Sequence, residues 1–399
     1  MNVFLTTLGC RLNEAEIGRW QRQLRADGHA VVAAPERADV VVLNSCAVTS
    51  DAARSSRRTL RQLRTRSPDS RLVVTGCEAT IDPDSFDADL VVPNADKSDL
   101  VKLLNLGLGD DPDASAPRRT RGFVKVQDGC RHRCTYCIVT VARGSERSRS
   151  IDAVVDDVRA LEDEGIVEVV LSGVHLGGYG SDIGSDLRSL IEAVVARTSV
   201  PRIRLGSLEP WDLPPGFFDL WSDPRLCPHL HLPLQSGSDT VLRRMARRCS
   251  VEHFSELAVQ AREVPGFHLT TDIIVGFPGE TDAEFDQTMQ VIQRLAPGHA
   301  HIFRFSPRRG TAAATMSGQV HGEVKKRRSR ELHALMAQLK ERRLRSEIGR
   351  QHAVLWEADG TSGYTANWLR VKSQLPHERG SISTVTVDGV LNAERLSVA

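Results

Sequence analysis

The run Cys130-Arg131-His132-Arg133-Cys134-Thr135-Tyr136-Cys137 puts three thiols on one short loop, and no other feature of the chain constrains its fold as tightly. Separations of four and three residues bring three thiolates close enough to share one polynuclear cluster. A structural zinc site normally closes with four ligands, and no second CxxC or HxxxH pair follows this loop. Three thiolates on a four-iron cluster leave one iron open to a substrate or cofactor. The competing reading is three buried cysteines brought together by chance.

The first hundred residues alternate short apolar runs with polar stretches of helical length. Residues 3–8, 40–43 and 72–75 are rich in β-branched side chains and predict buried parallel strands, with helices over 14–25 and 51–64. A β-α-β-α-β series packs as a parallel sheet with right-handed crossovers, here expected to be doubly wound. Each of the three strands closes on a cysteine, in Leu8-Gly9-Cys10, Asn44-Ser45-Cys46 and Thr75-Gly76-Cys77. In a parallel sheet the strand C-termini share one edge, where open α/β folds bind ligands. Cys10, Cys46 and Cys77 can therefore meet at a second centre, although a lone cysteine is more often a small buried hydrophobe. Cys227 and Cys249 have no comparable setting and read as structural or incidental.

A stretch rich in Gly, Pro and Asp at 107–118 predicts a linker between a first domain (1–106) and a second (119–340). The second domain alternates strands, at 122–126, 168–172, 203–206, 229–232, 270–275 and 301–305, with helices at 154–164, 187–196, 251–263 and 283–295. Thr281 followed by Glu284 is a capping box at the entry of the last helix. This alternation predicts a partial or complete α/β barrel whose working face is formed by the strand C-termini. A basic helix is expected over 324–347, with an apolar face of Leu332, Leu335, Met336, Leu339 and Leu344. A small β module of three strands separated by glycines closes the chain, in a third domain assigned to 341–399.

The 399 residues carry 52 Lys plus Arg and 51 Asp plus Glu, a formal net charge of +1. Locally the balance is uneven: +6 over 54–71, +7 over 118–149 and +7 over 325–350, against −7 over 81–113. Separate basic runs on a near-neutral chain suit a polyanion touched at several places, the alternative being solvated helix faces. No membrane span or export signal is read in the sequence. Eight cysteines in such a chain predict a reducing cytoplasm, where thiols serve metals or catalysis.

With these motifs in view, the chain resembles the radical S-adenosylmethionine methylthiotransferases over nearly its whole length. The N-terminal likeness lies in Thr7-Leu8-Gly9-Cys10 with Asn13 and Glu16, then Asn44-Ser45-Cys46-Ala47-Val48-Thr49 and Thr75-Gly76-Cys77. The central likeness lies in the cysteine loop, in Ser207-Leu208-Glu209-Pro210, in Leu232-Pro233-Leu234-Gln235-Ser236-Gly237-Ser238, and in Asp272-Ile273-Ile274-Val275-Gly276-Phe277-Pro278-Gly279-Glu280-Thr281. The C-terminal likeness, to the RNA-binding TRAM module, lies in Val354-Leu355-Trp356-Glu357 and Gly363-Tyr364-Thr365-Ala366-Asn367-Trp368. Thr140-Val141, Cys249 and Glu78 depart from the family pattern without removing a cysteine of either set.

The resemblance implies an N-terminal methylthiotransferase domain, a radical barrel and a small all-β TRAM barrel. It implies two 4Fe-4S clusters, one held by Cys130, Cys134 and Cys137 and an auxiliary one held by Cys10, Cys46 and Cys77. S-adenosylmethionine is expected beside Tyr136, Gly173, Val174, Ser207, Glu209, Gln235 and Ile274, each of which also reads as core packing or a strand-end turn. The segment Gly173-Val174-His175-Leu176-Gly177 resembles the branch that methylthiolates threonylcarbamoyladenosine beside the tRNA anticodon. Partners implied are the anticodon stem-loop of tRNA and an electron donor such as flavodoxin or ferredoxin. Tyr364 and Trp368 are weighed as base-stacking side chains and as core. Competing functions are methylthiolation of isopentenyladenosine tRNA, methylthiolation of ribosomal protein S12, and a non-catalytic iron–sulfur RNA-binding redox sensor.

Overall fold

The computed structural model describes residues 1–109 and 120–398, so most of the expected linker, residues 110–118, lies outside the described residues. The chain divides into two compact units. The described residues of the first are 1–109, 123–147 and 306–314; those of the second are 120–122, 148–305 and 315–398.

The first unit is built on five parallel strands, β1 (Asn2–Thr7), β2 (Ala30–Val31), β3 (Val40–Ser45), β4 (Arg71–Gly76) and β5 (Leu90–Val92), in the order β2-β1-β3-β4-β5. Alternation along β3 and β4 explains the two layers that cover the sheet, because successive side chains leave opposite faces. Val40, Val42 and Val73 pack with Ile17, Trp20 and Leu24 of α1 (Arg11–Ala26) and with Leu100 and Leu104 of α4 (Leu100–Leu104). Val41, Leu43, Leu72 and Val74 pack with Leu60 and Leu63 of α2 (Ser50–Arg66) and with Ala79 of α3 (Cys77–Ile81). The same unit takes in the 130–137 loop and the short helix α5 (Val139–Arg143) that follows it.

In the second unit, parallel strands β6 (Glu168–Ser172) and β7 (Arg202–Leu205) pair with each other. Strands β8 (His229–His231), β9 (His268–Val275) and β10 (His299–Arg304) form a further parallel set. A bridge between Ser207 and His231 joins the sets, so successive strands lie side by side. Helix α6 (Asp282–Leu295) begins with the expected capping box: the Thr281 hydroxyl accepts from the Glu284 N–H, and the Glu284 carboxylate accepts from the Thr281 N–H. A long helix α7 (Gly322–Arg345) leads into six strands, ordered 382–386, 351–356, 362–365, 370–373, 395–398 and 389–391, around Val354, Trp356, Val371 and Leu396. Among the described residues no helix is long and apolar enough to cross a membrane.

Three members of the basic runs are buried in ion pairs, whereas the arginines of 54–71 are exposed or half-buried. Arg328, near the start of the basic run 325–350, is buried and paired with Glu280 at 2.6 Å. Arg121 and Arg143 are likewise buried in ion pairs. The aromatic pair Tyr364–Trp368 is stacked on itself, ring centroids 4.6 Å apart, and Arg204 lies over the Trp368 ring at 4.5 Å. The indole packs against both neighbours and is itself half-buried.

Candidate functional site: two cysteine trios in one unit

The edge formed by the C-termini of β1, β3 and β4 carries the dispersed cysteines. Cys10 immediately precedes α1, Cys46 follows β3, and Cys77 opens α3. Pairing Thr7 with Asn44 and Ser45 with Gly76 fixes the three strand ends in register. Gly9 has φ +106°, and a Cβ there would sit 2.5 Å from the Cys46 Sγ, so only glycine leaves that sulfur its space. Burial pushes the Cys46 thiol up to about 11, Cys10 and Cys77 add to the rise, and Arg143 opposes it. The three cysteines thus share the edge formed by the ends of β1, β3 and β4. Three soft sulfur donors, a glycine cradle shaped around one of them and nearby cationic donors fit a thiolate-held iron–sulfur group.

The contiguous trio sits on a loop tied to itself. The Cys130 N–H donates to the Gly144 carbonyl at 3.1 Å, and the Cys137 N–H donates to the Cys134 carbonyl at 3.0 Å. The His132 N–H points at the Cys130 Sγ, 3.4 Å away, and the Thr140 hydroxyl donates to the His132 carbonyl at 2.9 Å. Gly129 has φ +72°, and a Cβ there would lie 1.9 Å from the Ser145 carbonyl oxygen. The three sulfurs are half-buried, and no disulfide joins any of the eight cysteines, all of which are among the described residues. This preformed three-thiol loop fits a cluster with one corner open.

Helix α5 connects the two trios. Ala142 and Ile138 pack with Cys77 and Ala47. Asn94 donates through Nδ2 to the Ala142 carbonyl at 2.7 Å and lies 3.7 Å from the Cys77 Sγ. Arg143 donates from Nε to the Cys77 Sγ at 3.3 Å, from Nη1 to Glu16 at 3.2 Å and Asp128 at 3.0 Å, and from Nη2 to the Asn13 Oδ1 at 2.8 Å. Burial works against its charge, but Glu16, Cys77, Asp128 and Cys10 hold the guanidinium above its ordinary range. Burial would raise the Glu16 carboxyl, yet Lys97, Arg143 and Lys125 keep it well below the usual carboxylate range. Sequence reasoning read Arg143 only as part of a basic run. Its distance from Cys77, 66 positions along the chain, left no local signal.

The remaining predicted residues fall on strand ends of the second unit, apart from Tyr136, which is half-buried on the cysteine loop of the first. Gly173 and Val174 follow β6, Ser207 and Glu209 follow β7, and Ile274 is the penultimate residue of β9. Glu209 is paired with Arg247 at 2.7 Å. Gln235 is buried with φ +74°, its N–H bound to the Asp272 carbonyl and its own carbonyl accepting from the Ile274 N–H. A non-glycine residue held in that region costs energy that the two flanking bonds offset, a pattern common at ligand sites. His175 is buried and bonded to the Asp212 carboxylate at 2.6 Å. No local signal in the sequence marks His231, Asp272 and His301, whose ligating atoms lie within 4.8 Å of one another on β8, β9 and β10. Only strand register aligns them.

Comparison with known proteins matches two family models in tandem: the uncharacterized protein family UPF0004 over residues 2–93 and the radical SAM superfamily over residues 124–292. The threonylcarbamoyladenosine tRNA methylthiotransferase MtaB of Thermotoga maritima is 35% identical over 376 residues, 89% of this chain and 86% of that protein. The protein of that name from Bacillus subtilis is 34% identical, covering 84% and 80%. A tRNA-2-methylthio-N(6)-dimethylallyladenosine synthase from Moorella thermoacetica is also 34% identical, covering 88% and 86%. Among solved structures, the radical S-adenosylmethionine methyltransferase TsrM of Kitasatospora setae superposes with a TM-score of 0.60 at 14% identity, over 78% of this chain and 77% of that one, which shows a shared radical SAM fold. With identity at this level over most of both chains, this chain belongs to the radical S-adenosylmethionine methylthiotransferases, an enzyme family whose chemistry implies S-adenosylmethionine and a 4Fe-4S cluster.

Proposed function

We propose that this enzyme methylthiolates carbon 2 of N6-threonylcarbamoyladenosine at position 37 of tRNA, using two 4Fe-4S clusters. The observation that carries the reading is the presence of two cysteine trios in one compact unit, linked through α5. In this reading Cys130, Cys134 and Cys137 hold the radical cluster, and Cys10, Cys46 and Cys77 hold the auxiliary one. The chemistry these groups supply when bound is one-electron cleavage of S-adenosylmethionine and delivery of a methylthio group, which no side-chain acid or base can provide at an adenine carbon.

The residues of the chain itself bind, orient and shield. The loop bonds from Cys130 to Gly144 and from Cys137 to Cys134 hold three sulfurs ready before any ligand arrives. In this reading Tyr136, Gly173, Val174, Ser207, Glu209, Gln235 and Ile274 serve S-adenosylmethionine binding, Gln235 from a backbone at φ +74°. Residues 1–106, 119–340 and 341–399 act as methylthiotransferase, radical partial-barrel and TRAM modules, with the linker between the first two. The last module and the exposed members of the basic runs take the anticodon stem-loop, and a flavodoxin or ferredoxin supplies electrons in a cytoplasmic setting without a membrane. The segment Gly173–Gly177 favours threonylcarbamoyladenosine over its closest competitor. Isopentenyl-type adenosine is the second reading, favoured by the Moorella relative at equal identity.

Nucleoside mass spectrometry of tRNA from a deletion strain tests this. The methylthio form of threonylcarbamoyladenosine should vanish while the isopentenyl-derived form persists, and the reverse pattern overturns the substrate assignment. Anaerobic incubation with S-adenosylmethionine and dithionite should release 5′-deoxyadenosine; none would leave only the redox-sensor reading.

A further inference from the structure

We infer that Arg143 is a positioning residue that sets the electronic character of the auxiliary centre by donating to the Cys77 sulfur, while its backbone neighbour fixes the radical loop. The inference rests on the reading that Cys10, Cys46 and Cys77 hold a cluster. Three observations converge on it.

The first is directional. Arg143 spreads its donors over four acceptors, and one of them, Nε, faces the Cys77 Sγ at 3.3 Å. The other donors are occupied by Asn13, Glu16 and Asp128, so the fork has no freedom to turn away. Hydrogen bonds to a ligating sulfur withdraw charge from it and raise the reduction potential of the centre it holds.

The second is the charge balance. Arg143, Lys97 and Lys125 face Glu16 and Asp128, three cations against two carboxylates, in a network whose side chains other than Lys125 are at most 9% exposed. The buried charges, Arg143 and Lys97 against Glu16 and Asp128, balance, and Lys125 adds its charge from the partly exposed rim. The Cys77 sulfur is a further acceptor beside this network, facing the Arg143 Nε. It thus meets the cationic side of the network rather than a carboxylate.

The third is connectivity. Gly144, next to Arg143, accepts the Cys130 N–H, and Ala142, on its other side, accepts from Asn94, which itself approaches Cys77. A displacement of Arg143 therefore moves the first cysteine of one trio and the third cysteine of the other together.

The test uses the full chain carrying Cys130→Ala, Cys134→Ala and Cys137→Ala, reconstituted anaerobically with iron and sulfide, so that any signal belongs to the dispersed trio. Potentiometric titration followed by electron paramagnetic resonance reads the midpoint potential. In this background Arg143→Lys should move the potential to more negative values and weaken iron retention against a chelator by about 10–100-fold. Asp128→Asn, which removes a carboxylate from the far side of the guanidinium, should move the potential the opposite way. A residue that merely stabilises the unit would shift both variants in the same direction through loss of the centre. Unchanged potential in Arg143→Lys overturns the inference. Where Arg143→Lys takes up no iron, Asp128→Asn decides, and an unshifted or negative potential there overturns it too. If the parent background with Arg143 intact takes up no iron, the auxiliary-cluster reading itself has failed, which is a different outcome.

Discussion

Each unit buries a network of guanidinium and carboxylate groups, one centred on a cation and the other on an anion. In the first unit Arg143 is shared among Glu16, Asp128, Asn13 and the Cys77 sulfur, with Lys97 and Lys125 also on Glu16. In the second a single anion, Glu168, is shared among Arg204 at 3.0 Å, Arg121 at 2.7 Å and Arg202 at 3.6 Å. Arg204 and Arg121 lean on Trp368 and Tyr364, and Arg202 donates to main-chain carbonyls of the C-terminal strands. Buried charge alone is therefore no mark of a functional site. What separates the two is the destination of the remaining donor: a sulfur in a trio in one case, the framework of the unit in the other.

The largest expected effect comes from breaking each hub at its carboxylate. Glu168→Gln strands three buried cations and should cost about 3–5 kcal/mol in chemical denaturation, with iron content per chain unchanged. Glu16→Gln should carry a cost of the same order and, in addition, reduce the iron bound after reconstitution. Equal iron content in the two variants would erase the distinction drawn between the hubs.

Acid sharpens the comparison next. Burial alone would raise the Glu168 carboxyl, but Arg204, Arg121 and Arg202 pull it down to about 2. An ordinary glutamate titrates near ~4.3. A depressed folded pKa means the stabilisation is fully present above the ordinary value and is lost as pH falls from there through the folded one. The parent should lose roughly 2–3 kcal/mol across that interval through this group. The loss should be absent from Glu168→Gln, and an identical acid profile in the two proteins would contradict the assignment.

A smaller effect is expected at Trp368, which packs under Arg204. Replacing it with leucine should cost about 1–2 kcal/mol through the lost cation–π contact and leave RNA affinity within twofold of the parent. A large fall in affinity at constant stability would restore Trp368 as a base-stacking residue. The smallest change belongs to Thr281→Ala, where the lost cap should cost about 1 kcal/mol in the second unit and leave both hubs untouched.

What could be read along the chain depended on sequence distance. The capping box, the contiguous cysteine loop and the strands of the first hundred residues were legible because each signal lies within one element. The dispersed trio was legible only in part: strand ends and glycines proposed it, while Gly9 packed against Cys46 is a contact across two strands. Within the basic runs the sequence did not tell Arg121, Arg143 and Arg328, which are buried, from their exposed neighbours. Charge carries no period that tells a solvated side chain from a paired one.

The amino-acid order alone determined which thiols share a loop, where helices begin and which family the chain resembles, because those depend on neighbours bonded or nearly bonded in sequence. Only the folded chain decided that Arg143 serves Cys77 and that His231, Asp272 and His301 line up. Such contacts depend on strand register and helix docking, which follow from the packing of whole faces rather than from any one segment.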